Sequence, residues 1–465
     1  MFSYYNNILE AIGKTPLVKL NKVVPPNCAT VLVKCEYMNP SGSIKDRMAL
    51  HIVEQAEKEG LLKPGGTIVE NTSGNTGLAL AMVAAVKGYR CVFTMPDKMS
   101  TEKINMLKAF GAEVVITPTD VPGDSPEHYV NTAKRIARET PDAFYVDQYH
   151  TEKNIQAHYY STGKEIWEDT NGELDYFVAG TGTGGTASGV GRYFREKLAE
   201  TGKKVQVVGV DPIGSVHYHL FHSKTLVTPH VYKVEGIGED IECGAMDLTV
   251  VDDMIQTNDK EAFTMARRLV REEGLFCGGS SGAIIHGAIK VAQKAGPGKI
   301  VVAVLTDSGT RYITKYLSDA WMRDHGFLSP YEELGLVEDL LRRRGTSTIV
   351  TASGKDTVGK AIQILREKGI SQLPVLDESG KPSRIVHELD ILRGLQSGTV
   401  GQDAQLNDVA HDIGGLTSPK ARIEELFKIF DEDQVAMVVD GGKLVGIVSK
   451  IDVIEYIASR SNALS

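Results

Sequence analysis

The sequence predicts an α/β protein in two parts: a two-lobed domain of mainly parallel, twisted sheets covered by helices, and a smaller domain made from a tandem repeat. Three observations carry this. From residue 29 to about residue 322, short apolar runs alternate with amphipathic stretches, the rhythm of β-α-β units. That length is large for one core, which favours two lobes with a cleft between them. Further on, Gly380, Lys381, Ile385, Val386 and Asp390 recur at a constant offset of 62 as Gly442, Lys443, Ile447, Val448 and Asp452.

Taken in order, the first element with a clear signature is a helix opening in the run Asn39-Pro-Ser-Gly-Ser-Ile-Lys-Asp-Arg47. Met48, Ile52, Val53 and Ala56 share one face at helical spacing, with Ser41 or Ser43 as the N-cap. Lys45 then falls in the first turn, where the positive end of the helix disfavours an ammonium. Strands are expected over 67–71, 91–95, 113–117, 176–179, 205–210 and 299–305, and helices over 78–87, 101–110 and 260–273. Residues 323–344 are charged and poor in Gly and Pro, so they read as a linker with a helix. Each repeat copy, about 350–398 and 405–462, joins a helix-like stretch to an apolar strand (373–376; 436–439) and an acidic turn. Neither copy can bury its apolar face alone, so the two should pack as one module. The expected domains are therefore 1–322, 323–344 and 345–465.

Length and charge narrow the function classes. The 465 residues allow about three domains of ordinary size. A formal net charge of -9 argues against broad binding to nucleic acid or an anionic membrane. No apolar run has the length of a membrane span, and the first ten residues lack a basic segment followed by an apolar one, so the cytoplasm is the expected location. The five cysteines, Cys28, Cys35, Cys91, Cys243 and Cys277, are dispersed and read as reduced thiols, with Cys277 a buried structural one.

Chemistry concentrates in three places. A lysine of depressed pKa at a helix start is what Schiff-base chemistry needs, and Lys45 is so placed. Asn71-Thr-Ser-Gly-Asn-Thr-Gly77, between a strand and a helix, offers hydroxyls, amides and helix-start N–H groups to a carboxylate; an ordinary helix cap would look the same. Gly180-Thr-Gly-Thr-Gly-Gly-Thr186 brings backbone N–H groups close enough to hold a phosphate. It also contains G-x-G-x-x-G, and Asp211 follows the next strand, so a dinucleotide fingerprint stays open. His217, His219 and His222 do not share one face of a helix or strand and read as a solvated loop, so no metal is expected.

Together with Gly278-Gly-Ser-Ser-Gly282, these motifs closely resemble those of the fold-type II pyridoxal-phosphate enzymes, the β-replacing family of cysteine synthases and cystathionine β-synthases. The resemblance implies that Lys45 forms the Schiff base with pyridoxal 5'-phosphate. It further implies that Asn75 bonds the ring hydroxyl, that Gly182, Thr183, Gly184, Gly185 and Thr186 hold the phosphate, and that Ser280 meets the pyridine nitrogen. A neutral hydroxyl there leaves that nitrogen largely unprotonated, which favours β-elimination over transamination. Thr72, Ser73, Thr76 and Gln148 are placed around the substrate carboxylate, with Tyr149 beside the site. Val234-Glu-Gly-Ile-Gly-Glu-Asp240 is similar to the cystathionine β-synthase branch, in which Glu235, Gly236 and Gly238 border the entrance; Glu239 stands where animal members usually carry tyrosine.

The repeat resembles the tandem regulatory module of the same branch, with Ser449 and Asp452 at the positions that hold the ribose of an adenosyl ligand, S-adenosylmethionine by analogy. The first copy has Arg384 and His387 where that pattern expects a glycine and a hydroxyl. With only a dozen residues before Gly13-Lys-Thr-Pro16, no haem is expected. The implied activity is condensation of serine or O-acetylserine with homocysteine to give cystathionine, with hydrogen sulfide from cysteine as a side reaction, in a homodimer or higher homo-oligomer. Cysteine synthesis from sulfide, a nicotinamide-dependent dehydrogenase and a catalytically silent adenosyl-ligand sensor remain as alternatives.

Overall fold

The computed structural model describes residues 4–72, 74–328, 334–344, 349–432 and 435–461. The chain divides into two units, Met1–Phe327 and Leu328–Ser465. The first holds two sheets. A six-stranded sheet runs in the order Leu17–Lys19, Thr30–Cys35, Ile300–Leu305, Tyr176–Gly180, Gln206–Pro212 and Asp253–Thr257. Its first pairing is antiparallel and the others are parallel. A four-stranded parallel sheet runs Glu113–Thr117, Arg90–Pro96, Thr67–Asn71 and Ala143–Tyr145. All six expected strands are present. Of the four additional strands, Leu17–Lys19 and Ala143–Tyr145 are too short to show a period in the sequence.

Each sheet has its own core. Ile68, Leu80 and Phe93 lie in one; Phe177, Phe194, Val207 and Val302 lie in the other. The helix Lys45–Lys58 joins them. Met48, Ile52, Val53 and Ala56 are completely buried in the core of the four-stranded sheet, while Ile44, just before the helix, is buried in the core of the six-stranded sheet. Lys45 therefore sits where the chain passes from one lobe to the other.

Two expectations are corrected. The cap of this helix is Ile44 in helical conformation; Ser43 Oγ only accepts from Lys45 N at 3.3 Å, and the Ser41 hydroxyl is taken by Asp46. Residues 217–223 form a short helix, His217–Ser223, because no Gly or Pro interrupts them and Leu220 is buried; His217 is 1% exposed. A short helix, Asp319–Asp324, reaches the start of the expected linker, and the helix expected within the linker is Val337–Arg344. Gly326, at φ +69°, takes the left-handed conformation that ends the first.

In the second unit the two repeat copies form separate sheets around antiparallel hairpins, Gln372–Leu376 with Pro382–His387 and Val435–Asp440 with Lys443–Ser449. Ile385 of the first copy packs with Val435 and Met437 of the second. Val337 and Leu340, from the helix preceding both copies, are buried in the core of the second.

The two lobes of the first unit are also joined by buried charge. Arg47 donates from Nε and Nη2 to the two oxygens of Glu36 at 2.7 and 2.8 Å, and from Nη1 and Nη2 to Glu165 at 2.6 and 2.8 Å. Thr15 and Asn39 also donate to Glu36, so every lone pair that burial takes from water has a partner. Burial alone would raise the Glu165 carboxyl, but Arg47 and Lys34 hold it at about 2. Its stabilising charge is present above the ordinary carboxyl range and is lost only as pH falls toward that value. Replacing Arg47 with Met leaves Glu36 buried without its cation. We expect a loss of about 3–5 kcal/mol, read as a lower midpoint of urea unfolding, and partial recovery in the double variant Arg47→Met, Glu36→Gln.

Candidate active site

The sheet strands deliver their loops to a single cleft in the first unit, a cavity of about 710 Å³. Lys45, Thr72, Asn75, Thr76, Gln148, Tyr149, Thr183, Glu235, Gly236 and Ser280 all line it. Ser73 lies outside the described residues. Of the glycine loop only Thr183 is on the cavity wall, so Gly182, Gly184, Gly185 and Thr186 are not lining residues.

Lys45 is partly open to this cavity. Burial holds its amine below the usual lysine range, against the opposing charges of Glu239 and Asp307. The dominant cause is therefore desolvation, where the sequence pointed to the helix end. The helix Asn75–Lys87 starts at Gly74 with no side-chain cap, and Thr72 Oγ1 accepts from Gly77 N at 3.2 Å. Thr76 Oγ1 donates to Gln148 Oε1 at 2.7 Å, which ties that helix start to the loop after Ala143–Tyr145.

The glycine loop opens the helix Gly185–Thr201, whose cap, Gly184, has φ +93° and no side chain to bond the first-turn N–H groups. A Cβ on Gly184 would lie 2.4 Å from Met246 Cα, so the backbone makes a cradle that only glycine permits. Thr183 Oγ1 accepts from Asn154 Nδ2 at 3.0 Å, and Thr186 Oγ1 pairs with His158 Nε2 at 3.3 Å. Ser280 is 1% exposed and shares a 2.7 Å hydrogen bond with Thr306. A Cβ on Gly236 would stand 3.7 Å from Ser280 Oγ, which brings the 234–240 turn against Ser280. A buried amine, an uncapped helix start behind a glycine cradle and a neutral hydroxyl together suit an aldehyde cofactor bearing a phosphate and a ring nitrogen.

Asp211 does not suit a ribose. It is fully buried, accepting from Thr181 Oγ1 at 2.8 Å and from Tyr218 N at 2.9 Å, so the dinucleotide reading loses its acidic residue. Among the described residues no group of three or more His, Cys, Asp or Glu could hold a metal ion, and no helix is long and apolar enough to cross a membrane. All five cysteines are free thiols; Cys277 is buried and burial raises its pKa.

Several groups here escaped the sequence reading. Asn75 Nδ2 donates to Asp307 at 2.8 Å, Arg311 donates to Asn75 Oδ1, and Tyr312 donates to Asp307 at 2.7 Å, so the Asn75 amide is held in one orientation. These residues follow the carboxyl end of the strand Ile300–Leu305, the place where parallel sheets bind ligands, and that rule could have found them. Glu235 is clamped by Lys103 at 2.6 Å and by Lys315. Burial alone would raise its carboxyl, but the two lysines keep it below the usual range.

In the second unit, Ser449 N and Oγ donate to Asp452 Oδ2 at 2.7 and 2.6 Å, and Arg344 Nη1 reaches the same oxygen at 3.3 Å. His387 and Asp390 make the matching helix cap in the first copy, so the pair has a structural task in both copies whatever it binds.

Residues 8–307 match the model of the pyridoxal-phosphate dependent enzyme family, and residues 337–397 and 417–459 match the CBS domain. Cystathionine beta-synthase of Oryctolagus cuniculus is 40% identical over 477 residues, covering 98% of this chain and 85% of the relative. That of Dictyostelium discoideum is 38% identical over 469 residues, covering 97% and 92%. Cysteine synthase of Staphylococcus aureus is 42% identical over 310 residues, covering 66% of this chain and 96% of the relative. A family match over the lobes, a CBS-domain match over both repeat copies and end-to-end similarity to the first two relatives make one statement: the chain belongs to the pyridoxal-phosphate dependent enzyme family, in its cystathionine beta-synthase branch.

Proposed function

We propose that this protein makes cystathionine by replacing the β-hydroxyl of serine, or the acetoxy group of O-acetylserine, with the thiol of homocysteine. The observation that carries this reading is the convergence of Lys45, the Thr72–Thr76–Gln148 cluster and Ser280 on one cavity. When bound, pyridoxal phosphate supplies an electron sink for the carbon bearing the amino group. Lys45, whose amine burial holds below the usual lysine range, holds the cofactor, then takes the α-proton of the substrate and later returns it to the same carbon. The start of Asn75–Lys87, with Thr72 and Thr76, receives the substrate carboxylate. Asn75, fixed by Asp307 and Arg311, presents its amide to the ring hydroxyl. The start of Gly185–Thr201 takes the phosphate, and Ser280 stands at the ring nitrogen as an uncharged partner.

The second unit is proposed to bind an adenosyl ligand, S-adenosylmethionine by preference, with Asp452 accepting from the ribose hydroxyls. Support comes from the CBS-domain match and from the place of Ser449 and Asp452 at one helix start. A homo-oligomer working in the cytoplasm completes the proposal.

Three outcomes are expected. Offered serine and O-acetylserine, each with homocysteine or sulfide, the purified protein should show its largest kcat/KM in a homocysteine reaction; dominance of O-acetylserine with sulfide would make it a cysteine synthase. Lys45→Ala should lose the visible absorbance of the bound cofactor and all turnover, and full turnover in that variant would refute the role of Lys45. Asp452→Ala should abolish binding of S-adenosylmethionine in calorimetry with basal turnover retained, and unchanged binding would sink the ribose assignment.

A further inference from the structure

Two carboxyl groups line the cleft, Glu235 and Glu239, and their settings differ. Glu235 is bound by two lysines and remains a carboxylate. Glu239 is held only by its backbone. Its N–H donates to Ser215 Oγ at 3.0 Å, its carbonyl accepts from Val216 N at 3.1 Å, and the preceding Gly238 N–H donates to Thr181 O at 2.7 Å. Among the described residues no donor reaches its side chain, which stands on the wall of the cavity that Lys45 enters.

The proposed reaction has a requirement that Lys45 does not fully meet. Hydroxide is a poor leaving group, and serine must lose its oxygen as water, while Lys45 is occupied in accepting the α-proton. A second acid is needed near the β-carbon. The other hydroxyls on the wall, from tyrosine, serine and threonine, are too weakly acidic for that work, and Glu235 carries no proton to give.

We propose that Glu239 protonates the departing β-hydroxyl of serine and afterwards accepts the thiol proton of homocysteine. This rests on the cystathionine reading above. The step balances without an external oxidant or reductant. The Cβ–O bond breaks with its electron pair on oxygen, which takes the Glu239 proton and leaves as water. Lys45 takes the α-proton, and the electrons of that C–H bond become the new Cα–Cβ π bond. When sulfur bonds to Cβ, its proton passes to the Glu239 carboxylate, and Lys45 returns the proton to Cα.

The surroundings of Glu239 support a proton on it near neutrality. Burial lifts its carboxyl to about 8, against the pull of Lys45 and helped by Asp240 and Asp211. Tyr129, Tyr149, Tyr232 and Cys243 face the same carboxyl, and each is raised chiefly by burial and further by the Glu239 charge. None of these neighbours supplies a positive charge that would ionise it. A raised carboxyl pKa means that the proton is available below that value and is lost as pH rises through it.

The test is Glu239→Gln in the full-length, cofactor-loaded protein. The kcat/KM for the amino-acid donor reports only steps up to loss of the leaving group. We expect it to fall roughly 100-fold or more for serine and to stay nearly unchanged for O-acetylserine, because acetate departs without a proton. Independently of turnover, infrared difference spectra taken between about pH 7 and about pH 9 should contain a protonated-carboxyl band that the variant lacks. Equal losses for both donors, no loss for either, or spectra identical to wild type would overturn the assignment. If the wild-type protein made no cystathionine from either donor, the underlying reading would fail and this one with it.

Discussion

The pair formed by Arg47 and Glu36 is the constraint on which the catalytic unit depends. Glu36 directly follows the strand Thr30–Cys35 of the six-stranded sheet, and Arg47 lies two residues after Lys45 on a helix whose apolar face belongs to the other lobe. Two buried charges with every hydrogen bond satisfied are costly to separate. The pair therefore holds the first turn of the helix at the boundary between the cores, with Ile44 anchored on one side and Met48 on the other. That position sets the Lys45 amine in the wall of the cleft, where burial lowers its pKa. The same residues in an exposed helix would leave an ordinary lysine.

Charge within the cleft is arranged by pairing. Glu235 keeps its charge because Lys103 and Lys315 flank it, and Glu239 tends to keep its proton because burial acts on it without a hydrogen-bonded cation. Identical side chains four residues apart in one turn are thus shifted in opposite directions. Lys103 lies on the helix Thr101–Ala109, in the lobe opposite to the 234–240 turn, so its ion pair with Glu235 also spans the mouth of the cleft. The negative charge at Glu235 and the bond between the lobes are one interaction.

The repeat unit follows a different economy. Ser449 with Asp452 and His387 with Asp390 close the same helix start in the two copies, although the residue types differ. Capping explains why an acidic residue stands at that offset in both, and the ribose role proposed for Asp452 is added to a structural one. Arg344, on a helix whose Val337 and Leu340 are buried in the second copy, already touches Asp452. A ligand bound there would meet this guanidinium as well.

The sequence by itself determined the parts with a period or a local backbone demand. Six of the ten strands of the two sheets show as apolar runs, the face of Lys45–Lys58 shows at helical spacing, the repeat shows as a constant offset, and the glycine cradle at Gly184 is written in glycines. That Lys45, Asn75, Ser280 and the 71–77 loop meet at the cleft was legible because motifs keep neighbouring residues together. Only the tertiary structure decided what depends on distant segments meeting. Asp307 and Arg311 orient Asn75 from more than 230 positions away, Lys103 reaches Glu235 across 132, and Asp211 is spent on Thr181 and Tyr218. The sequence also pointed to the helix dipole as the reason for a reactive Lys45, whereas burial is the larger cause. Desolvation is a property of the assembled cleft, and no short window of residues contains it.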